Sequence, residues 1–293
     1  RYALHGKHFR VQYLETALYK ESKGRCLQLI NAAVLGSPIS HSLSPVLHRV
    51  AYELLGIKGN YEAIEVQAGD LSAFLQNTDK NCLSLTMPLK EEAISLASVS
   101  SKLAQRISSG NTLTLVNGNW HLTSTDVTGF EFSLKAHQFD LLDSALVLGA
   151  GATARAAVSY LSTICKKIQV VSRNSDREVS MNNASDIQVE YLPWEPTDQI
   201  NHADLVVNTA PGDASNIFLS SIHSPRGTLF EVLYDPWPTS LSQTWASEGR
   251  DVIDGLELLI HQAISQVELF SGQTVNRSEF YTHLRKAALT QLG

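Results

Sequence analysis

The sequence lacks several features that would place it in a particular class of protein. No apolar run approaches the roughly 18 residues that suggest a membrane-spanning helix. No HExxH motif or Cys/His cluster indicates a metal site, so we expect no bound metal and no membrane partner. The only three cysteines, Cys26, Cys82 and Cys165, lie far apart and form no CxxC pair. Scattered cysteines in odd number suit a reducing compartment, which predicts a cytoplasmic protein without a disulfide scaffold.

Positive charge is also in short supply. The chain carries 23 Lys and Arg against 29 Asp and Glu, which gives a formal net charge of −6. This balance argues against nucleic acid as the main partner, although a few basic residues in a cleft can still bind a small anion. With 293 residues, 43% of them hydrophobic, the chain is typical of a globular protein and is long enough for two domains.

The first 26 residues do not resemble a secretory signal peptide. They carry charges throughout and contain no apolar core followed by a cleavage-like site. We treat residues 1–26 as a leader whose role the sequence does not assign.

From Leu27 onward, strand-like and helix-like stretches alternate, which predicts βαβ units on a mostly parallel sheet. Apolar runs predict strands at 28–35, 61–66, 83–86, 145–148, 168–172, 187–192, 204–208 and 228–233. Helical spacing predicts helices at 46–55, 70–75, from Pro88, and at 128–136, 152–161, 255–270 and 278–292. The stretch 128–136 is expected to bridge two α/β domains.

A glycine-rich turn joins one predicted strand to the helix that follows it. Gly149-Ala150-Gly151-Ala152-Thr-Ala has the GxGxxA pattern of a dinucleotide-binding turn. The first glycine permits the tight turn, the second lets the backbone approach a pyrophosphate, and the helix N-terminus offers free N–H groups to it. A strand before the turn, a helix after it and a second strand about 20 residues later all agree with this interpretation.

The end of that second strand predicts the cofactor. NAD-preferring sites usually place an acidic residue there to bind the ribose 2′-hydroxyl. This chain has Ser172, Arg173 and Asn174 instead, with Arg177 close by. The guanidinium of Arg173 suits a 2′-phosphate, so we expect NADP(H), although a solvated surface run with Asp176 as partial counter-charge is the plainer alternative.

The first half of the chain contains four polar motifs that are ambiguous when taken singly. They read GSPISHSLSP from Gly36, LTMPLK ending at Lys90, SGNTL around Asn111, and STDVTG around Asp126. Serine is a routine helix N-cap, surface lysines are common, and Asn and Asp are ordinary turn residues. No one of these motifs assigns a reaction.

Their order and spacing, however, resemble the shikimate dehydrogenase family from residue 33 to about residue 272. The series continues through GAGATARA, SRN, NTAP, YDPWPT and GLELLIHQA. The resemblance implies an α/β fold of two domains: a substrate-binding domain of residues 27–127 plus 251–293, to which the C-terminal helices return, and a Rossmann-type NADP-binding domain of residues 128–250. It further implies an enzyme of aromatic amino acid biosynthesis that interconverts shikimate and 3-dehydroshikimate, as a monomer or homodimer.

The resemblance also implies roles for single residues. Lys90 and Asp126 match the catalytic pair. The matching substrate-binding positions are Ser42, Ser44, Thr86, Asn111, Tyr234 and Gln262. Asn208, Thr209 and Gly255 join the residues of the glycine turn and the strand end as cofactor-binding positions.

Two departures keep alternatives open. Ser84 and Ser124 stand where the family usually has Asn, and Ser84 lacks the amide donor. Met87, Val127 and YDPWPT look like an actinobacterial-type branch of the family. One alternative is a quinate/shikimate dehydrogenase-like paralog that acts on a different ring acid. The other is a non-catalytic regulator that binds NADP or a metabolite on the same fold.

Overall fold

The computed structural model describes residues 29–293, so the leader, Cys26 and the first residue of the predicted 28–35 strand lie outside the described residues. The strands are β1 (Ile30–Gly36), β2 (Gly59–Glu65), β3 (Cys82–Leu85), β4 (Val99–Ser100), β5 (Thr112–Val116), β6 (Asn119–Thr123), β7 (Leu142–Leu148), β8 (Cys165–Ser172), β9 (Val189–Pro193), β10 (Leu205–Asn208), β11 (Thr228–Glu231) and β12 (Val252–Ile253). The helices are α1 (Ser44–Leu55), α2 (Leu71–Asn77), α3 (Leu89–Leu96), α4 (Lys102–Arg106), α5 (Asp126–Ala136), α6 (Ala152–Leu161), α7 (Glu178–Ala184), α8 (Gln199–His202), α9 (Ser240–Ser247), α10 (Gly255–Ser271) and α11 (Arg277–Leu292).

These elements form two six-stranded sheets, one in each α/β domain. The second sheet has the order β12-β11-β10-β7-β8-β9, and all of its neighbouring strands are parallel. Its central strands are continuous apolar runs because both faces are covered: Ala145 and Val147 contribute to one core, and Leu146 and Leu148 to the other. This part of the fold confirms the predicted parallel arrangement.

The first sheet is mixed: three of its five neighbouring strand pairs are parallel, which agrees with the predicted mostly parallel arrangement, and two are antiparallel. Its order is β2-β1-β3-β5-β6-β4, and β5 runs antiparallel to both β3 and β6. The antiparallel pairing of β5 with β6 follows from the two-residue turn Asn117-Gly118, whose φ angles of +51° and +80° suit a tight hairpin. A connection this short reverses the chain, whereas a parallel crossover needs a dozen or more residues.

The two closing helices pack on the first half of the chain. Ile260 and Ile264 of α10 and Leu284 of α11 share one buried cluster with Leu47 of α1 and Val34 of β1. Helix α10 begins where the side chain of Asp254 accepts from the Leu256 N–H, and it ends at Gly272 in the left-handed region. On its other side α10 approaches α5, because Gly129 leaves room for Leu258 and Gln262. The end of the chain therefore contributes side chains to the space between the sheets.

Candidate active site

A cleft of about 480 Å³ lies between the carboxyl ends of strands from the two sheets. Parallel strands commonly bind ligands at this edge, because the loops that leave them converge there. The first domain lines the cleft with Thr86, Met87, Pro88, Lys90 and Glu91. The second domain lines it with Gly149–Ala154, Ser172–Asn174, Arg177, Trp194 and Thr209–Pro211. The cleft therefore brings together the LTMPLK motif and the glycine-rich turn, which are about 60 residues apart in the sequence.

Lys90, which lines this cleft, forms an ion pair with Asp126 behind it. Lys90 lies in the first turn of α3, and Asp126 is the first residue of α5. The Lys90 Nζ is 2.7 Å from Asp126 Oδ2, and the two side chains are only 15% and 6% exposed. The pair therefore places an ammonium group, held by a nearly buried carboxylate, where it can donate a proton to a ligand in the cleft.

Asn111 links this pair to the C-terminal helix. Its amide Nδ2 donates to Asp126 Oδ1 at 2.9 Å and to Gln262 Oε1 at 3.1 Å. Its Oδ1 accepts from the backbone N–H of Thr125 at 2.7 Å, which holds the turn before α5. Both oxygens of Asp126 therefore have a defined partner, and Gln262 is joined to the same network.

Each of the remaining predicted substrate residues carries a hydroxyl group, and of these residues only Thr86 lines the cleft. Ser44 is the first residue of α1 and is buried, and its N–H donates to the Ser42 Oγ at 3.3 Å. Thr86 lies between β3 and Lys90 and lines the cleft. Tyr234 packs against the cluster that contains Leu43, and burial raises the pKa of its phenol. These groups are neutral hydrogen-bonding partners, which suits a polyhydroxylated ligand.

Ser84 is buried and hydrogen-bonded within the protein. Its Oγ accepts from the Tyr61 hydroxyl at 2.6 Å and donates to Gln266 Oε1 at 2.8 Å. Gln266 Nε2 donates in turn to the Asn111 carbonyl at 3.1 Å. His48 stacks on Tyr61 with ring centroids 3.9 Å apart, and burial lowers the pKa of His48 to about 3. The position that departs from the family pattern is thus one part of a buried polar network.

The sequence reasoning missed Tyr61, Gln266 and the contact made by His48. One pattern could have found Gln266: it lies four residues after Gln262 on α10, and residues at this spacing share a helix face. Tyr61 stands in a strand with no motif around it, so only the tertiary structure brings it to Ser84. Ser124, the second departure from the family pattern, is buried, and its Oγ has no hydrogen-bond partner in the structure.

The glycine-rich turn has the geometry that a dinucleotide requires. Gly149 has φ of +108°, and a Cβ there would lie 2.6 Å from Thr209 Oγ1. A Cβ on Gly151 would meet nothing within 4 Å, so the backbone beside it faces open space. Helix α6 begins at the next residue, Ala152, with its free N–H groups at the cleft. The turn can therefore hold a pyrophosphate.

The strand end after β8 presents two arginines to the cleft. Ser172 Oγ accepts from the Asn174 N–H at 3.2 Å, and Asn174 Oδ1 accepts from the Asp176 N–H at 2.8 Å, so local bonds shape the loop. The Arg173 guanidinium lies 5.5 Å from the ring centroid of Trp194. Arg177 donates to Glu91 of the first domain. A phosphate bound here would meet two cationic side chains.

Two predicted cofactor residues, Asn208 and Gly255, are not among the residues that line the cleft. The Asn208 amide is fully buried and donates to both carboxylate oxygens of Glu231 at 3.0 and 2.9 Å. A Cβ on Gly255 would collide with the backbone of Val232 and Leu233. Both residues shape turns beside the cleft, and a direct contact between either of them and a cofactor stays a prediction.

The residues that the structure describes show no grouping of three or more His, Cys, Asp or Glu side chains that could hold a metal ion. Within residues 29–293, no helix is both long enough and apolar enough to span a membrane.

Comparisons with known proteins match the chain to several shikimate dehydrogenases. Residues 34–113 match the family model described as the shikimate dehydrogenase substrate binding domain. The curated shikimate dehydrogenase (NADP(+)) of Prochlorococcus marinus strain AS9601 is 34% identical over 82% of this chain and 91% of its own length. The crystal structure of Mycobacterium tuberculosis shikimate dehydrogenase matches 87% of this chain and 98% of its own, with 34% identity and a TM-score of 0.78. Shikimate 5-dehydrogenase from Thermus thermophilus, solved with NADP(H) and shikimate, matches 88% of this chain and all of its own, with 30% identity and a TM-score of 0.76.

Proposed function

The chain belongs to the shikimate dehydrogenase family, and from this premise we propose that it is an NADP-dependent oxidoreductase that interconverts 3-dehydroshikimate and shikimate. The observation that carries the proposal is that Lys90, bonded to Asp126 at 2.7 Å, lines the same cleft as a dinucleotide-binding turn. A proton donor and a dinucleotide site that face the same space are the two requirements of carbonyl reduction by hydride.

The proposed reaction needs one hydride and one proton. NADPH supplies the hydride to the carbonyl carbon of the substrate and leaves as NADP+. The electron pair of the C=O π bond moves to oxygen, and Lys90 donates the proton that converts this oxygen into a hydroxyl. Asp126 orients the ammonium group of Lys90 and balances its charge. In the reverse direction, the neutral amine that Lys90 becomes after the forward step would accept the proton of the hydroxyl, while NADP+ would take the hydride.

The residues of the second domain fit the proposed cofactor. Gly149, Ala150, Gly151 and Ala152 would hold the pyrophosphate at the start of α6. Ser172, Arg173, Asn174 and Arg177 would surround the 2′-phosphate, and Thr209 would line the opposite wall. Asn208 and Gly255 would act by shaping the neighbouring turns.

The substrate is proposed to lie on the polar groups of the first domain and α10. Ser42 and Ser44 at the start of α1 would bind the carboxylate, and Tyr234 would line the cleft. Thr86, Asn111 and Gln262 would bind the hydroxyls. A site with this many buried polar groups rejects a ligand that lacks one hydroxyl, because a protein group is then left unpaired.

A spectrophotometric assay tests this function directly. Purified protein with NADP+ and shikimate should form NADPH, and the reaction should reverse with NADPH and 3-dehydroshikimate. The same assay with quinate tests the paralog alternative, which Ser84 in place of the family's Asn keeps open. Turnover with neither acid, together with binding of NADP+, would instead support a non-catalytic regulator.

We further propose the domain boundaries, the cellular compartment, the oligomeric state and the branch of the family. The domain boundaries are 27–127 plus 251–293 and 128–250, which the packing of α10 and α11 against α1 supports. The protein is a cytoplasmic monomer or homodimer of the actinobacterial-type branch, and this branch is supported by Met87, Val127 and the YDPWPT motif. Sedimentation of the purified protein tests the oligomeric state.

A further inference from the structure

One carboxylate of the first domain contacts two arginines of the second. Glu91 Oε1 accepts from Arg155 Nη2 at 2.7 Å and from Arg177 Nη1 at 2.6 Å. Glu91 follows Lys90 directly in the first turn of α3. Both Glu91 and Arg177 line the cleft. Glu91 therefore extends from the side of the catalytic pair to the strand end proposed to bind the 2′-phosphate.

The two arginines differ in how firmly they are held. Arg155 is only 1% exposed, and it also donates to the carbonyls of Ile107 and Ser108. Its buried charge needs Glu91, because removing one partner of a buried pair is strongly destabilising. The Arg177 side chain is 42% exposed, and an exposed pair of this kind contributes about 0–1 kcal/mol. Arg177 can therefore exchange its partner at little cost, whereas Arg155 cannot.

Glu91 remains an anion under ordinary conditions. Burial acts to raise the pKa of its carboxyl group, but hydrogen bonds and charges from Arg155 and Arg177 outweigh burial and hold the pKa below its usual range. A phosphate that binds between Arg173 and Arg177 must therefore compete with a carboxylate that already holds Arg177.

We propose that Glu91 is a specificity-determining residue that competes with the 2′-phosphate of NADP(H) for Arg177 and so limits the preference for NADP(H) over NAD(H). This inference rests on the proposed function. When the 2′-phosphate takes Arg177, Glu91 keeps Arg155, so the contact between the domains is retained. NAD(H) carries a 2′-hydroxyl and leaves the Glu91–Arg177 contact in place.

Calorimetric titration of the full chain with 2′,5′-ADP and with 5′-AMP tests the competition. In Glu91→Gln, 2′,5′-ADP should bind about two- to fivefold more tightly, the scale of one partly exposed ion pair. The affinity for 5′-AMP, which has no 2′-phosphate, should not change. Glu92→Gln is the matched control, because it removes the same charge from the same helical turn and its carboxylate contacts the Gly69 N–H instead. Weaker or equal binding of 2′,5′-ADP in Glu91→Gln would overturn the proposal.

A double-mutant cycle separates partner exchange from simple repulsion. In an Arg177→Gln background, Glu91→Gln should no longer tighten 2′,5′-ADP binding. An equal tightening in both backgrounds would mean that Glu91 acts by charge alone, and the exchange would be refuted. If loss of the Arg155 partner prevents Glu91→Gln from folding, Glu91→Asp keeps a charge near Arg155 and should show the same direction of change. If the unmodified protein does not bind 2′,5′-ADP but Glu91→Gln does, the competition is supported; if neither binds it, the proposed cofactor and the competition are both refuted.

Discussion

The two ends of the cleft are built on different principles. At the substrate end, Lys90, Asp126, Asn111 and Gln262 are mostly buried and bonded to one another across four separate segments of the chain. At the phosphate end, the loop from Ser172 to Arg177 is stabilised by bonds within itself and is largely exposed. A buried network fixes direction and distance, whereas exposed arginines provide charge that can be rearranged or screened. The comparison suggests that the fold sets the position of the substrate, while local charge sets the choice of cofactor.

The strongest test of the buried end is removal of the proton donor. Lys90→Ala should lower kcat by about 100-fold or more, the usual scale for a positioned general acid, while the protein stays folded. Asp126→Asn should act in the same direction. Lys102→Ala, which removes an exposed lysine at the start of α4, is the control and should leave kcat unchanged. Near-normal turnover in both active-site variants would remove the pair from the mechanism.

At the phosphate end, the corresponding test changes affinity and not turnover. Arg173→Ala should raise the KM for NADP+ about tenfold, because the lost charge-assisted hydrogen bonds are worth about 1.4 kcal/mol. The KM for NAD+ should barely change. Arg250→Ala, which removes an exposed arginine outside the cleft lining, is the matched control. A protein that prefers NAD+ before any substitution would show that the SRN motif had been misinterpreted.

Ser84→Asn tests how far the buried network tolerates the family's usual residue. The Ser84 hydroxyl is already bonded to Tyr61 and Gln266, so the substitution replaces two contacts and adds an amide. Contacts of this kind are worth roughly 0.5–1.5 kcal/mol, so the KM for shikimate should change by no more than about tenfold. The KM for NADP+ should stay constant. Abolished turnover would show a pocket built around Ser, and the paralog alternative would then gain support.

The smallest expected effect is that of salt. Raising the ionic strength from about 0.1 M to 1 M shortens the screening length from about 10 Å to 3 Å. The KM for NADP+ should therefore rise a few-fold, since Arg173 and Arg177 lie at an exposed edge. The KM for NAD+ should rise less, and a side-by-side assay measures the ratio. Equal changes for both cofactors would contradict the contrast between the two ends.

The sequence predicts most helices and strands and the residues at both ends of the cleft, but it does not predict every strand pairing. Helix α6 was predicted with its observed bounds, because an alanine-rich stretch follows a glycine turn that leaves the start of the helix open. The resemblance identified Lys90 and Asp126 as partners, and the structure brings them together. The hairpin of β5 and β6 was not predicted, although Asn117-Gly118 is a strong turn sequence. This region was considered only for the site residues Asn111 and Asp126 and not for its strands.

Contacts between distant segments were beyond such reasoning. The contact of Glu91 with Arg155 and Arg177 depends on how the two domains pack together. No sequence pattern in α3 or in the loop after β8 predicts this contact. Tyr61 likewise reaches Ser84 only because β2 and β3 flank β1 in the sheet. Periodicity reports which face of an element is buried, but not which polar atom lies opposite.

The network around Ser84 has a defined hydrogen-bond polarity. The backbone carbonyl of Asn111 can only accept a hydrogen bond. It therefore orients the Gln266 side-chain amide with its nitrogen toward Asn111 and its oxygen toward Ser84. Ser84 must then use its single hydrogen on Gln266, and Tyr61 must donate to Ser84. The neutral His48 completes the order by offering Nε2–H to the same Gln266 oxygen. A ligand atom that reaches Ser84 therefore meets only a lone pair, so this position accepts a hydroxyl that donates and disfavours a carbonyl or ether oxygen.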